Sequence, residues 1–273
     1  AEGSSNELPI IPLDADQSIH SSTVVSDTLR NLYQERVSPP EHSSKIPYEA
    51  APLLKTPNHF SDVDEIIRVI CEREKISHDR KNALREVMSR LVKAFEANEF
   101  FHGMKFRLDV YGSSCNGFAS NRSDFDISFR YIEEFNGWER MLEKHSNIHI
   151  ATINAIERSL KSVSGIALVE SITSARVPIV KFASRVDRIK IDGDISCYNE
   201  LALHNSQLLR RYCAWTKDEM LSKLGLFVKR WAKECDICDA SKGSLSSYAY
   251  MILLIHFLQR LKPHPLLPML QEV

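Results

Sequence analysis

The chain has 273 residues, enough for one large or two modest domains, and its 43% apolar and 26% charged residues are those of a globular protein with a sizeable core. Thirty-five Lys plus Arg against 36 Asp plus Glu leave a net charge of -1, which excludes a generally basic nucleic-acid glove, so any polyanion must be met by local charge. No run reaches the ~18 apolar residues of a membrane span, the N-terminus lacks the order of a secretory signal, and six scattered cysteines do not read as a disulfide framework. No membrane contact is expected.

Residues 1–45 carry three Lys plus Arg and seven Asp plus Glu without sustained periodicity, which reads as a disordered leader. From Ser61, an expected N-cap, the apolar positions Val63, Ile66, Ile67, Ile70 and Cys71 recur at helical spacing. A second helical face follows at Leu84, Val87, Leu91 and Phe95. The texture then turns to strands over 106–111, 125–131, 166–172, 177–182 and 189–195, with helices expected over 133–144 and 152–162. Helical patterns return over 201–215, 220–235 and 248–261, the last bounded by Pro263 and Pro265. The fold class is α+β, a mixed sheet with flanking helices set against a mostly helical unit. Cys235 and Cys238 form a C-x-x-C without a second pair or a suitably spaced histidine, and helix-borne packing is preferred to zinc.

Chemistry concentrates where Gly112, Ser113 and Ser114 follow the first strand and Asp124-Phe125-Asp126 comes twelve residues after Gly112. Alternation along a strand puts Asp124 and Asp126 on one face, where their repulsion is relieved by a hard cation such as Mg²⁺. A glycine turn with backbone N–H groups and hydroxyls can cradle phosphate. A third carboxylate is expected from the strand over 189–195: Asp194 is favoured because its Asp-Ile-Ser context repeats that of Asp126, while Asp192 beside Gly193 can close a turn. Three such acids organise two cations for nucleotidyl transfer, one activating the attacking hydroxyl and one bridging the leaving pyrophosphate. The bland alternative makes these acids turn and cap residues. Lys229 and Lys233 stand at i and i+4, a solvated face or a polyphosphate contact. Tyr248 at a helix start is core or a stacking platform, and Asn205 is a satisfied amide or a ribose reader.

The Gly112-Ser113 turn with the Asp124-x-Asp126 pair resembles the signature of DNA polymerase β-type nucleotidyltransferases. Arg176-Val-Pro-Ile-Val-Lys181, Leu201-Ala-Leu-His-Asn205, Phe227-Val-Lys-Arg-Trp-Ala-Lys233 and Gly243-Ser-Leu-Ser-Ser-Tyr248 resemble the noncanonical poly(A) and poly(U) polymerases, and the run 235–250 is similar to the animal terminal uridylyltransferases. The resemblance covers about residues 60–273. It implies N-terminal helices over 46–103 packing on the central domain, a catalytic palm over 104–198, and a helical central domain from 199 that continues past Val273. It further implies template-independent addition of UMP from UTP to single-stranded RNA 3′ ends, with Mg²⁺ or Mn²⁺. Asp124, Asp126 and Asp194 match the metal triad, Gly112 and Ser113 the phosphate turn, and Asn205 the ribose and base contact. Lys229 and Lys233 match the triphosphate lysines, and Ser247 and Tyr248 the hydroxyl contact and stacking ring. In that family a histidine in a later segment favours uracil over adenine, so the base-choosing feature is expected beyond Val273. Messenger or small regulatory RNA, a cytoplasmic location and small-RNA pathway partners in gene silencing follow from the same resemblance. Poly(A) addition from ATP is the enzymatic alternative, and a non-catalytic RNA-binding module of the same fold is the other.

Overall fold

The computed structural model describes residues 59–132 and 147–270. The leader expected over 1–45 and the helix expected over 133–144 lie outside these residues. Two helices open the described chain, α1 (His59–Glu74) and α2 (His78–Glu96). The α1 backbone is already helical at His59, so Ser61 falls inside the first turn and is not its cap. Ile66 is 51% exposed, and the face that packs is instead the one carrying Ile67, Ile70 and buried Cys71, whose thiol donates to the Lys223 carbonyl at 3.2 Å. Ser77 caps α2, its hydroxyl accepting from the Arg80 amide, and satisfies a donor that the helix itself cannot.

Five strands form one sheet in the order β1 (Phe106–Tyr111), β2 (Phe125–Tyr131), β5 (Ile189–Cys197), β4 (Ile179–Val186), β3 (Ile166–Ile172). Only β2 and β5 run parallel; the other pairs are antiparallel. Helix α3 (Ile148–Lys161) leads into β3. The first two strands and β3 keep the bounds expected from their residues, while β4 begins at Ile179, after Pro178, which has no N–H to give a ladder.

Alternation sends Phe106, Leu108, Val110, Phe125, Ile127 and Phe129 to one face, where they pack under α2 and α3 in the larger core. Phe95, Phe101, Phe106 and Phe129 meet there with ring centroids 5.3–6.0 Å apart. Thus α2 belongs to the sheet core, whereas α1 lies against α5 (Met220–Glu234), tied by Arg230 to Glu74 at 3.0 Å. The helical layer comprises α4 (Glu200–Trp215), α5 and α6 (Ser247–Arg260) around a second core of Leu209, Tyr212, Leu221, Met251, Ile255 and Leu258. Phe118, from the loop after β1, is part of this second core. No described helix is long and apolar enough to cross a membrane.

Candidate active site

The other face of the sheet is polar because the same alternation turns Tyr111, Asp126 and Ser128 away from the core. Register then builds a row across all five strands: Tyr111 opposite Asp126, Asp126 opposite Asp194, Asp194 opposite Lys181, and Lys181 opposite Glu170. Paired strands lie about 4.8 Å apart, so the carboxylates of Asp126 and Asp194 are immediate neighbours. Asp124 precedes β2 and is exposed, while Asp126 and Asp194 are half-buried. Burial pushes the Asp126 carboxyl up to about 7, helped by the charges of Asp124 and Asp194 and opposed by Lys229. Burial also raises Asp194; Lys181 counteracts this and Asp124 reinforces it. Asp192 does not close a turn: it sits inside β5, exposed, in an ion pair of 2.9 Å with Lys190.

The turn after β1 is a single 3₁₀ turn, Gly112–Ser114, with Gly112 at φ +69°. A Cβ at this glycine would collide with Asp126 Oδ2, so both backbone handedness and space demand glycine. The Gly112 amide donates to the Ser206 hydroxyl of α4 at 2.8 Å. Ser114 is buried and donates to the Asp124 carbonyl at 3.0 Å, so it positions the acid strand, and Ser113 is the half-buried hydroxyl of the turn. Ser206 and Ser114 thus fasten the turn to α4 and to the start of β2.

The helical layer supplies cations. Lys229 is buried, its ammonium donating to the Phe118 carbonyl at 3.1 Å, whereas Lys233 one turn on is exposed. Burial brings Lys229 down to about 8, and Lys233 lowers it further, while Cys238, Asp124 and Asp126 pull it back up. This coupling places Lys229 between the acids and the 235–247 segment. Cys238 meets the Ser247 hydroxyl at 3.1 Å, joining the start of α6 to the same group. Cys235 is the C-cap of α5 and Cys238 lies beyond it, so the pair is not carried on one helix. Tyr248, in the first turn of α6, is 43% exposed, as a stacking platform requires and a core residue does not. Asn205 is half-buried on α4, one residue before Ser206.

Oxygen-only donors, two of them directly opposed and made costly to ionise by burial and then by neighbouring like charge, suit a hard divalent cation. Asp126 and Asp194 are the central pair and Asp124 the outer member. Among the described residues, no three His, Cys, Asp or Glu side chains already close into a complete metal-ligand group. Sequence reasoning missed Ser206, Phe118 and Lys181 as parts of this site. Only the Lys181 motif carried a signal, since a helix hydroxyl and a loop phenylalanine have nothing local to mark them.

A sheet with an acid row on one face, a glycine turn beside it and a lysine-bearing helical layer above defines a nucleotidyltransferase palm. Residues 61–214 match the family described as poly(A) RNA polymerase, mitochondrial-like, central palm domain, and the chain belongs to that family. It is 37% identical over 246 residues to terminal uridylyltransferase 4 of Mus musculus, which covers 86% of this chain and 13% of that protein. With the poly(A) RNA polymerase GLD2 of Mus musculus it shares 35% identity over 167 residues, 61% of this chain and 33% of that protein. The chain therefore spans only a minor part of these relatives. The solved Cid1 poly(U) polymerase bound to MgATP superposes with a TM-score of 0.61 at 25% identity, covering 76% of this chain and 59% of that chain.

Proposed function

We propose that the chain is the catalytic portion of an RNA 3′-terminal nucleotidyltransferase that adds UMP from UTP without a template. The observation that carries this reading is the opposition of Asp126 and Asp194 on parallel strands, with Asp124 and Lys229 within electrostatic reach. Its support is the similarity to terminal uridylyltransferase 4.

In this reading Asp124, Asp126 and Asp194 would hold Mg²⁺ or Mn²⁺, which supplies Lewis-acid activation of the 3′-hydroxyl and charge neutralisation on the triphosphate. The chain's own residues do the positioning. Lys229, fixed by the Phe118 carbonyl, and Lys233, exposed one turn further along α5, present two ammonium groups to the phosphates. Ser113 and Ser247 offer hydroxyls, Asn205 an amide for the ribose and base, and Tyr248 a ring for stacking, which contributes on the order of 1–3 kcal/mol with little base preference. Stacking alone does not select uracil, and the similarity to GLD2 makes ATP the second substrate to weigh. The RNA is taken to be messenger or small regulatory RNA in the cytoplasm.

The test is extension of a labelled single-stranded RNA with each of the four nucleoside triphosphates in turn. UTP should be incorporated best. Preference for ATP would convert the reading to polyadenylation, and Asp124→Ala with Asp126→Ala should abolish addition; persistent turnover in that variant would defeat the site.

A further inference from the structure

Four register positions beyond the acid row, the same polar face carries a second charged group. Arg107 on β1 lies directly opposite Arg130 on β2, an arrangement of like charges that is unfavourable unless an anion joins it. Asp109, two residues after Arg107, provides one: it is buried, and its two oxygens meet Arg107 Nε and, at 2.9 Å, Arg130 Nε. Among the described residues, one carboxylate between two guanidiniums leaves one positive charge uncompensated. Both arginine side chains are about one quarter exposed, at 28% and 25%. Arg107 donates its Nε–H to Asp109, Arg130 Nε is ion-paired with the other oxygen but leaves it without an aligned hydrogen bond, and among the described residues the terminal nitrogens of neither arginine make a hydrogen bond. Lys105, exposed and immediately before β1, adds a third cation.

Planar guanidiniums with free outer nitrogens, pre-positioned by a buried carboxylate, match the geometry of a phosphodiester better than that of any neutral group. From Asp126 to Arg130 is four residues of strand, about 13 Å. We propose that Arg107 and Arg130, braced by Asp109, form a second anion site that holds a backbone phosphate of the RNA upstream of the 3′ end being extended. This rests on the reading of the acid row as an RNA nucleotidyl-transfer site. Asp109 is a positioning residue, aiming the arginines without touching RNA.

The test is fluorescence anisotropy of the full chain with end-labelled single-stranded RNAs of about 15 and about 4 nucleotides, titrated at several salt concentrations. Replacing only the arginines would strand a buried carboxylate, so the variant is Arg107→Gln, Asp109→Asn, Arg130→Gln, with its fold checked by circular dichroism. Its affinity for the long RNA should fall about tenfold, and the slope of log affinity against log salt should drop by about 0.7, one single-strand phosphate contact. Affinity for the short RNA should stay unchanged, and Arg107→Lys with Arg130→Lys should keep most of the salt slope because the charge remains. Unchanged long-RNA affinity and slope in the folded triple variant would overturn the site, as would an equal loss on both RNAs or tighter binding of a polyglutamate peptide than of RNA. Binding is read apart from turnover, so failure of nucleotide addition strikes the catalytic reading and leaves this measurement decisive for the arginines.

Discussion

Asp126 holds a carboxyl that titrates near 7 in the folded chain because it is half-buried between two other acids. An unfolded aspartate releases its proton near 3.9. Between these values the folded state binds the extra proton, so without a divalent cation stability falls as pH rises from about 4 to 7 and stays reduced above that range. Asp126→Asn should therefore raise the melting temperature at pH 8 in chelator, by the equivalent of on the order of a few kcal/mol, and have little effect at pH 4. Thermal unfolding at the two pH values checks this, and a lower melting temperature at pH 8 would contradict it. Divalent-cation affinity should conversely strengthen through pH 7 as the proton leaves. Gly112→Ala adds a Cβ at φ +69° against Asp126 Oδ2, a strain of about 1–2 kcal/mol from backbone handedness before the collision is counted. Nucleotide addition by this variant should be lost even where circular dichroism reports a folded chain. Both the glycine and the aspartate stood out in the sequence, because a glycine before a polar turn and a D-x-D on a strand announce their chemistry locally. The raised proton affinity did not, since it comes first from burial, which only the assembled fold creates, and then from Asp124 and from Asp194, 68 residues away in the chain.

The elements divide their labour by how they are tied. Helix α5 carries Lys229 on its buried side and also Gly225, where a Cβ would overlap the ring of Phe118. That close approach lets the loop after β1 plug into the helical core and brings the Phe118 carbonyl to Lys229. Gly225→Ala should cost about 1–3 kcal/mol through overpacking and weaken UTP binding more than cation binding, because it shifts the lysine helix and leaves the sheet in place. Denaturant unfolding and nucleotide titration read the two effects; equal weakening of both ligands would show that the sheet has moved as well. Helical periodicity foretold α5 to within a residue of its end, since period-3.6 burial is a local property of the chain. It treated Lys229 and Lys233 as equivalent, and the fold makes them different: one is buried against Phe118 and the other faces solvent.

As a whole the molecule is two cores, tied where the Gly112 amide donates to Ser206 of α4 and where the loop after β1 inserts Phe118 into the helical core beside Lys229. A nucleotide bridging the acid row and the lysines of α5 binds both layers at once, so saturating UTP with Mg²⁺ should raise the stability of the entire fold, by about 2.7 kcal/mol at one hundred times the dissociation constant. Scanning calorimetry should show that rise in the unaltered chain and its loss in the Asp124→Ala, Asp126→Ala variant; a gain retained by the variant would place the nucleotide elsewhere. Local chemistry alone specified the strand that bears the acids, the residue types suited to cations and phosphates, and the helices that follow, because alternation, turn propensity and periodicity act over a few neighbouring residues. Which third acid stands beside Asp126, which amides the turn keeps for itself, which lysine is buried and where the two arginines converge were settled by pairing and packing between segments tens of residues apart, and such register is a property of the assembled sheet and not of any one strand.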